Sequence, residues 1–336
     1  MSQDYNTKGI VVRGFLPNLS LAYQNESAGY VGDSIFPIIS GLNKEAKIYR
    51  NSRADAFRFE AGTRAPGGSA PIAETRADSV NIDPQNYSIG QKIPDELRDQ
   101  ASAPGNFKLQ PEVEAVEYMM DQLSMSREKE VSNIIHTTDW SGNGVGGLDA
   151  EGNWGNSTEA SDTMVVDLAD GESKIVSETG KRPNTLFIDF PAWQKIKVSP
   201  FWLNKLNNTQ FAGNITPQAI ANTLNYEIII GWSVENTAQE STDIDNMTSK
   251  YIMSSSVANN LKGNAMLFYK PSTPGLRTLS AGYQYRLRNS RSGQDILMTK
   301  WRDDEHHSDR LDAQQEFDIS VMCAQCAVLW KDTALT

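Results

Sequence analysis

The longest helical pattern in the chain covers residues 111–136. Apolar side chains recur there at steps of three and four residues, which predicts a long helix with one apolar stripe. Pro111 suits a first helical position, and the acidic residues precede the basic ones, an order that the helix dipole favours. His136 is expected to cap the last carbonyls as a cation. The predicted stripe, which another part of the fold should cover, consists of Val113, Val116, Met120, Leu123, Val131 and Ile134.

The region before this helix shows two other patterns. Residues 1–43 hold apolar clusters that prolines and glycines interrupt, which predicts an extended arm lying against another surface. Residues 44–100 alternate apolar and polar positions on two legs around a stretch rich in glycine and proline at 62–71. This alternation predicts a long two-stranded hairpin with a flexible tip. One side of its return leg carries Tyr87, Ile89, Gln91 and Ile93.

The region after the helix mixes short helical and strand patterns, so the chain is predicted to be an α+β protein. A helix is expected to begin at Asp167 and to end at Gly180, and strands are expected at 185–189 and 226–234. The C-terminal segment alternates from Phe317 onward and then changes phase, which predicts a bulge or burial on both faces.

Composition and charge narrow the classes of function. The chain has 336 residues, of which 39% are hydrophobic and 22% charged, so it can bury a core of ordinary size. Its apolar runs are too short to span a membrane, and its first residues lack the blocks of a signal peptide. We therefore expect it to stay in the cytoplasm of the cell that makes it. A net charge of -11 argues against a large uncompensated basic surface for duplex nucleic acid.

Candidate chemistry is sparse. Cys323 and Cys326 form one C-x-x-C, and at strand spacing their side chains face opposite ways. We interpret them as small buried hydrophobes, with a redox or metal role as the alternative. The stretch at 303–309 has no spacing that brings His306 and His307 onto one metal, so a solvated loop is expected there. No catalytic, cofactor-binding or metal-binding residue is predicted, and the chain is not expected to be an enzyme.

Four stretches carry a family resemblance. They are YVGDSIFPIIS (30–40), RADAFRFEAGTRAPGGSAP (53–71), QLSMSREKEVSNII (122–135) and TGKRPNTLFIDFPAWQKIK (179–197). Together with the order arm, hairpin, long helix, mixed segment and C-terminal strand, they resemble the major capsid proteins of tailed bacteriophages. The resemblance covers nearly the whole chain.

The resemblance implies a Hong Kong 97-like shell fold in four parts. These are an N-terminal arm (1–43), an extended β-hairpin loop (44–100), a peripheral domain with the spine helix and the C-terminal strand (101–160 and 301–336), and an axial domain (161–300). It also implies pentamers and hexamers that assemble in the host cytoplasm into the icosahedral head of a virion, which encloses double-stranded DNA non-specifically. A separate scaffolding protein and a portal are expected partners, a decoration protein is allowed for, and neither a cofactor nor a membrane is expected.

Two alternatives stay open beside the capsid interpretation. An encapsulin-like nanocompartment would share the fold and would enclose protein cargo in place of DNA. A metal-dependent hydrolase would use the acidic and histidine-rich stretch at 303–309.

Charge on two segments gives the predicted contacts between subunits. Residues 44–64 hold six basic against three acidic residues, whereas the long helix holds six acidic against two basic ones. We predict that the basic leg of one copy lies near the acidic helix of the next, where opposite charges would steer assembly. The alternative is two unrelated solvated faces. The predicted contact residues are Arg50, Arg53, Arg58, Arg64, Glu112, Glu114, Glu117 and Asp121.

Overall fold

The computed structural model describes residues 25–70, 72–73, 76–102, 110–207, 215–240, 245–254, 263–273, 278–288 and 295–334. These residues form an α+β structure, as the sequence predicts. Residues 1–24, which make up more than half of the predicted arm, lie outside the described residues. No helix among the described residues is long and apolar enough to cross a membrane.

The regular elements are named in chain order. The helices are α1 (Gly32–Ile35), α2 (Arg53–Ala56), α3 (Asp95–Ser102), α4 (Pro111–Thr137), α5 (Met164–Thr179), α6 (Phe190–Ile196), α7 (Pro200–Asn207) and α8 (Pro217–Leu224). The strands are β1 (Ile38–Gly41), β2 (Ala46–Asn51), β3 (Ala77–Ile82), β4 (Gln85–Pro94), β5 (Leu148–Asp149), β6 (Thr185–Asp189), β7 (Glu227–Gly231), β8 (Val234–Asn236), β9 (Ser249–Tyr251), β10 (Ala265–Phe268), β11 (Gly282–Leu287), β12 (Ile296–Asp303), β13 (Ser308–Val321) and β14 (Ala327–Lys331).

The chain divides into two compact units. The described part of the smaller unit consists of residues 88–102, 110–122 and 298–313. The larger unit consists of the described residues within 25–87, 123–297 and 314–334. Helix α4 and strands β4, β12 and β13 contribute residues to both units. The four-part division that the resemblance implies stays a prediction.

A five-stranded sheet in the larger unit has the order β5-β14-β10-β6-β7. Alternate residues of its strands enter two different cores, so both faces are buried: Leu186 and Ile188 lie in one core and Phe187 in the other. Val328 and Leu329 divide in the same way on β14. The change of phase in the C-terminal segment comes from a 3-10 turn at Ala324–Cys326, which separates β13 from β14.

Helix α5 covers one face of this sheet. It begins three residues before Asp167, and it ends where the sequence predicts because Gly180 adopts a φ of 64°, the left-handed conformation that glycine accepts without strain. Its buried residues Leu168 and Ile175 belong to the core beneath that face. Asp167 lies inside the first turn and accepts a hydrogen bond of 2.7 Å from the Trp154 indole.

Asp189, at the end of β6, gives a first prediction of stability. It is fully buried, and its carboxylate caps α6 by accepting the backbone N–H of Ala192 at 3.1 Å. Asp189→Ala should lower the free energy of unfolding by about 1–2 kcal/mol, the usual effect of losing an N-cap. Asp189→Asn keeps an acceptor and should recover most of the loss. Urea unfolding checks this, with the exposed Asp170→Ala as the control; equal loss in all three variants would contradict the capping role.

The second five-stranded sheet has the order β1-β11-β13-β12, with β4 paired to β13. The predicted hairpin is therefore shorter than expected: β2 pairs with β3 from Ala46↔Ile82 to Asn51↔Ala77, and residues 57–70 form no strand. The predicted return leg belongs to β4, where Tyr87 stacks on Phe317 with the ring centroids 4.4 Å apart. Alternation identified the strand but not its partner, because pairing depends on residues distant in the sequence.

The predicted stripe on helix α4 is partly wrong. Val113 and Met120 are 46% and 38% exposed. Leu123 and Val131 are buried as predicted. The buried face also carries Ala115, Met119 and Ile135, each of which is next in the sequence to a residue of the predicted stripe, Val116, Met120 and Ile134.

His136 reaches the end of helix α4 as predicted but not as a cation. Its Nδ1 lies 2.7 Å from the carbonyl oxygen of Ser132. Burial lowers its pKa below the usual 6.5, so the ring is neutral at pH 7. The contact is therefore a hydrogen bond from a neutral imidazole to the carbonyl.

Candidate assembly surfaces

The base of the arm is fixed to helix α4 by a buried carboxylate. Glu128 is 2% exposed, and it accepts the backbone N–H groups of Val31 at 3.0 Å and of Gly32 at 2.7 Å. Burial raises the pKa of Glu128 to about 7, and the two backbone hydrogen bonds offset only part of that effect. Glu128 of helix α4 thus anchors the backbone at the base of the arm.

The same base is held from strand β11. Gln284 donates its amide N–H to the carbonyl oxygen of Gly32 at 2.7 Å, and Arg286 forms an ion pair with Asp33. Arg127, next to Glu128, donates to the Gln315 amide oxygen at 2.7 Å. The arm base is therefore anchored by both a helix and a sheet of its own unit.

The sequence did not reveal this anchor. The charge pattern groups Glu128 with the other acidic residues of the helix, for which a contact between copies is predicted, but it lies between Leu123 and Val131, both buried. The available signal was a charged residue at a position where the apolar period of the helix requires a buried apolar side chain. A buried carboxylate needs hydrogen-bond donors, and here backbone N–H groups supply them.

The four predicted arginines differ in their surroundings. Arg50 pairs with Asp78 at 2.9 Å, and Arg53 pairs with Glu178 at 3.1 Å, so both have partners within their own chain. Arg58 lies 3.9 Å from Glu60, a loose pair at an exposed site, and Arg64 is exposed. A contact between copies through these residues stays a prediction, for which Arg58 and Arg64 are the better placed.

The predicted acidic residues all lie on the first part of helix α4. Glu112 pairs within its own unit with Lys300 at 2.9 Å and with Arg98 at 3.3 Å. Glu114 and Glu117 are exposed, whereas Asp121 is half-buried. Their role between subunits likewise stays a prediction.

The acidic and histidine-rich stretch forms the turn between β12 and β13, and the expectation of a wholly solvated loop is wrong at its end. Asp309 is 8% exposed and lies between three cations, Arg98 at 2.6 Å, Lys300 at 3.0 Å and Arg302 at 3.3 Å. Hydrogen bonds from Lys300 and Arg98 lower the pKa of Asp309 to about 2. Among the described residues, no group of three or more histidine, cysteine or carboxylate side chains is arranged to hold a metal ion.

The loop between β2 and β3 exposes large apolar side chains. Phe59 is 90% exposed and Ile72 is 92% exposed. Phe57 is 63% exposed, and its ring lies beside Gly180 at the end of α5, where a Cβ atom would come within 3.2 Å of it. Apolar side chains grouped on one exposed loop are typical of a surface that binds another protein.

A comparison with known proteins finds a relative of this chain by sequence. The chain is 27% identical over 198 residues to the major capsid protein of Burkholderia phage BcepMu, and the match covers 58% of this chain but only 61% of that protein. No protein-family model matches the chain.

Solved structures match over nearly the full length. A phage-related protein of Bordetella bronchiseptica RB50 has a TM-score of 0.64 at 17% identity, covering 93% of this chain and 94% of that one. The mature capsid of bacteriophage PhiM1 has a TM-score of 0.60 at 13% identity, with 97% and 93% covered. The SrpI encapsulin of Synechococcus elongatus PCC 7942 also matches, with a TM-score of 0.52 at 9% identity and coverage of 95% and 93%. The chain thus has the Hong Kong 97-like fold of these shells, and the resemblance of its sequence to tailed-phage major capsid proteins is confirmed.

Proposed function

We propose that this chain is a major capsid protein whose copies assemble into a closed icosahedral shell around double-stranded DNA. The observation that carries the proposal is its 27% identity over 198 residues to a phage major capsid protein. The exposed Phe59 and Ile72 support it, because a second copy would bury them. The net charge of -11 argues against a large basic surface for duplex DNA, so the proposed enclosure of DNA is non-specific.

The shell would consist of pentamers and hexamers of this chain in the virion. A separate scaffolding protein and a portal belong to the same proposal, because the resemblance to tailed-phage major capsid proteins implies them. Its role would be structural. The encapsulin match leaves the nanocompartment as the second candidate, since the two classes share the fold and differ in cargo.

Electron microscopy of the expressed protein tests the proposal. Negatively stained material should show uniform shells or rings of five and six subunits. Particles isolated from infected or induced cells should contain nuclease-sensitive DNA, whereas protein cargo would favour the nanocompartment. A monomer that stays monomeric at high protein concentration, alone and with the products of neighbouring genes, would overturn the proposal.

Reversing charge on the loop gives a further prediction. The double variant Arg58→Glu/Arg64→Glu should lower the yield of particles severalfold, because weak contacts between exposed charges repeat throughout a shell. The folded subunit should be unaffected, since neither side chain is buried. Lys181→Glu/Lys197→Glu, which reverses two other exposed charges, is the matched control. Equal particle yields from the two double variants would refute steering by the loop.

A further inference from the structure

A 3-10 turn brings the two cysteines of the chain together. The backbone N–H of Cys326 donates to the carbonyl oxygen of Cys323 at 3.1 Å. A turn closed by this hydrogen bond holds its end Cα atoms within about 7 Å of each other, a separation that a disulfide can bridge. The expectation that the side chains face opposite ways is therefore wrong: strand spacing does not apply across Ala324–Cys326. Both cysteines are free thiols.

The two thiols have different surroundings. Cys323 borders an open groove with a volume of about 1370 Å³, which Arg53 and Gln325 also line, whereas Cys326 is fully buried. A hydrogen bond from Cys326 lowers the pKa of Cys323, and the charge of Arg53 acts in the same direction. The same hydrogen bond and burial raise the pKa of Cys326. Cys323 is 9% exposed and Cys326 is not exposed at all, so Cys323 is the thiol of the pair that a small reagent in the groove can reach.

We propose that Cys323 and Cys326 form a thiol–disulfide exchange site, in which Cys323 attacks a low-molecular-weight disulfide from the groove and Cys326 resolves the product. In the first step the Cys323 sulfur bonds to one sulfur of the small disulfide, and the other leaves as a thiolate. In the second step Cys326 loses its proton to solvent and attacks the Cys323 sulfur, which releases the second small thiolate. The protein thiols are oxidised and the small disulfide is reduced.

The resulting bond would lock the connection between β13 and β14. Strand β14 pairs with both β10 and β5, so it lies inside the sheet, and four of its five residues are buried. Inside a cell, low-molecular-weight thiols would keep the two cysteines reduced. In the oxidising surroundings outside the cell, the disulfide would form. The disulfide would thereby make the turn more rigid once the protein has left the cell.

Oxidised glutathione and intact-protein mass spectrometry test the site on the full chain. The native protein should lose two hydrogens and keep no adduct. Cys326→Ser should accumulate one glutathione on Cys323, and Cys323→Ser should react at least tenfold more slowly than Cys326→Ser, because Cys326 is buried. Cys326→Ala repeats the measurement if the serine variant does not fold. A lasting adduct on the unaltered protein, equal rates in the two single variants, or no reaction before denaturation would overturn the proposal.

Arg53 provides a second readout. Arg53→Gln should slow the reaction of Cys323 severalfold, because the nearby positive charge is lost. Glu178→Gln is the matched control, since it removes the ion-pair partner of Arg53 at 3.1 Å and keeps the arginine charge. If Glu178→Gln slowed the reaction as much as Arg53→Gln, the ion pair and not the charge would position the site, and the role assigned to Arg53 would be wrong.

Discussion

Replacing Glu128 with alanine is expected to lower the free energy of unfolding by about 2–6 kcal/mol. The change leaves the backbone N–H groups of Val31 and Gly32 buried without their acceptor, and each such loss costs about 1–3 kcal/mol. A cavity on the buried face of helix α4 adds to the loss. The arm base should then open more often, so that limited proteolysis cuts near residues 25–35 faster than in the unaltered protein.

Urea unfolding and the rate of cleavage measure the two effects. Glu117→Ala, an exposed acidic residue on the same helix, is the control and should change neither quantity. If Glu128→Ala and Glu117→Ala behaved alike, Glu128 would not anchor the arm.

Glu128→Gln isolates the titration of this carboxyl. Its pKa is about 7 in the folded protein against 4.5 for an ordinary glutamate, so the stability that protonation supplies is fully present below pH 4.5 and is lost as the pH rises through 7. The difference corresponds to about 3 kcal/mol at about 1.4 kcal/mol per pH unit. Glutamine cannot ionise, so the variant should be less destabilised at pH 8 than at pH 5.

When the variant is compared with the unaltered protein at both pH values, the contributions of the other titrating groups to the free energy of unfolding cancel. Asp189 has a pKa raised to about 7 by burial and titrates in the same range, but it is present in both proteins. Asp33, which faces Glu128, raises the pKa further, and its charge is also common to both. A loss of stability in Glu128→Gln that is equal at pH 5 and pH 8 would contradict the assigned pKa.

Local signals predicted the elements whose ends are determined by nearby residues. Gly180 ends α5 because its φ is positive, and β6 covers the residues Thr185–Asp189 where the sequence predicts a strand. Strand β6 is buried throughout and is apolar at its three central residues, Leu186, Phe187 and Ile188, as expected for a strand with cores on both faces. Such features depend on a few consecutive residues, which is why the sequence alone sufficed for them.

Long-range partners could not be predicted in this way. The pairing of β4 with β13 joins residues more than 200 positions apart, and no pattern within β4 specifies it. Counting charges did not separate the buried Glu128 and Asp309 from their exposed neighbours, since burial depends on what packs against each residue. The two cysteines are buried, as predicted, but the expected opposite direction of their side chains is wrong, because a single turn changes the relative direction of two side chains three positions apart.

Removing apolar surface from the loop is expected to have the largest effect on assembly. Phe59→Ser/Ile72→Ser should leave the isolated subunit as stable as before, because these side chains are 90% and 92% exposed in the single chain. Burial of each against a neighbouring copy would contribute about 1.5–3 kcal/mol. Losing both should therefore raise the concentration needed for assembly by on the order of 100-fold or more.

Light scattering against protein concentration, with electron microscopy of the pellets, measures that threshold. Val166→Ser/Val198→Ser is the matched control, because both valines are more than 60% exposed and lie outside the loop. Thermal unfolding of each variant at low concentration establishes that the subunit is folded, so a raised threshold reflects the contact between copies. If the loop variant assembled at the concentration of the unaltered protein, the loop would make no apolar contact with a neighbour, and shell assembly would have to depend on other surfaces.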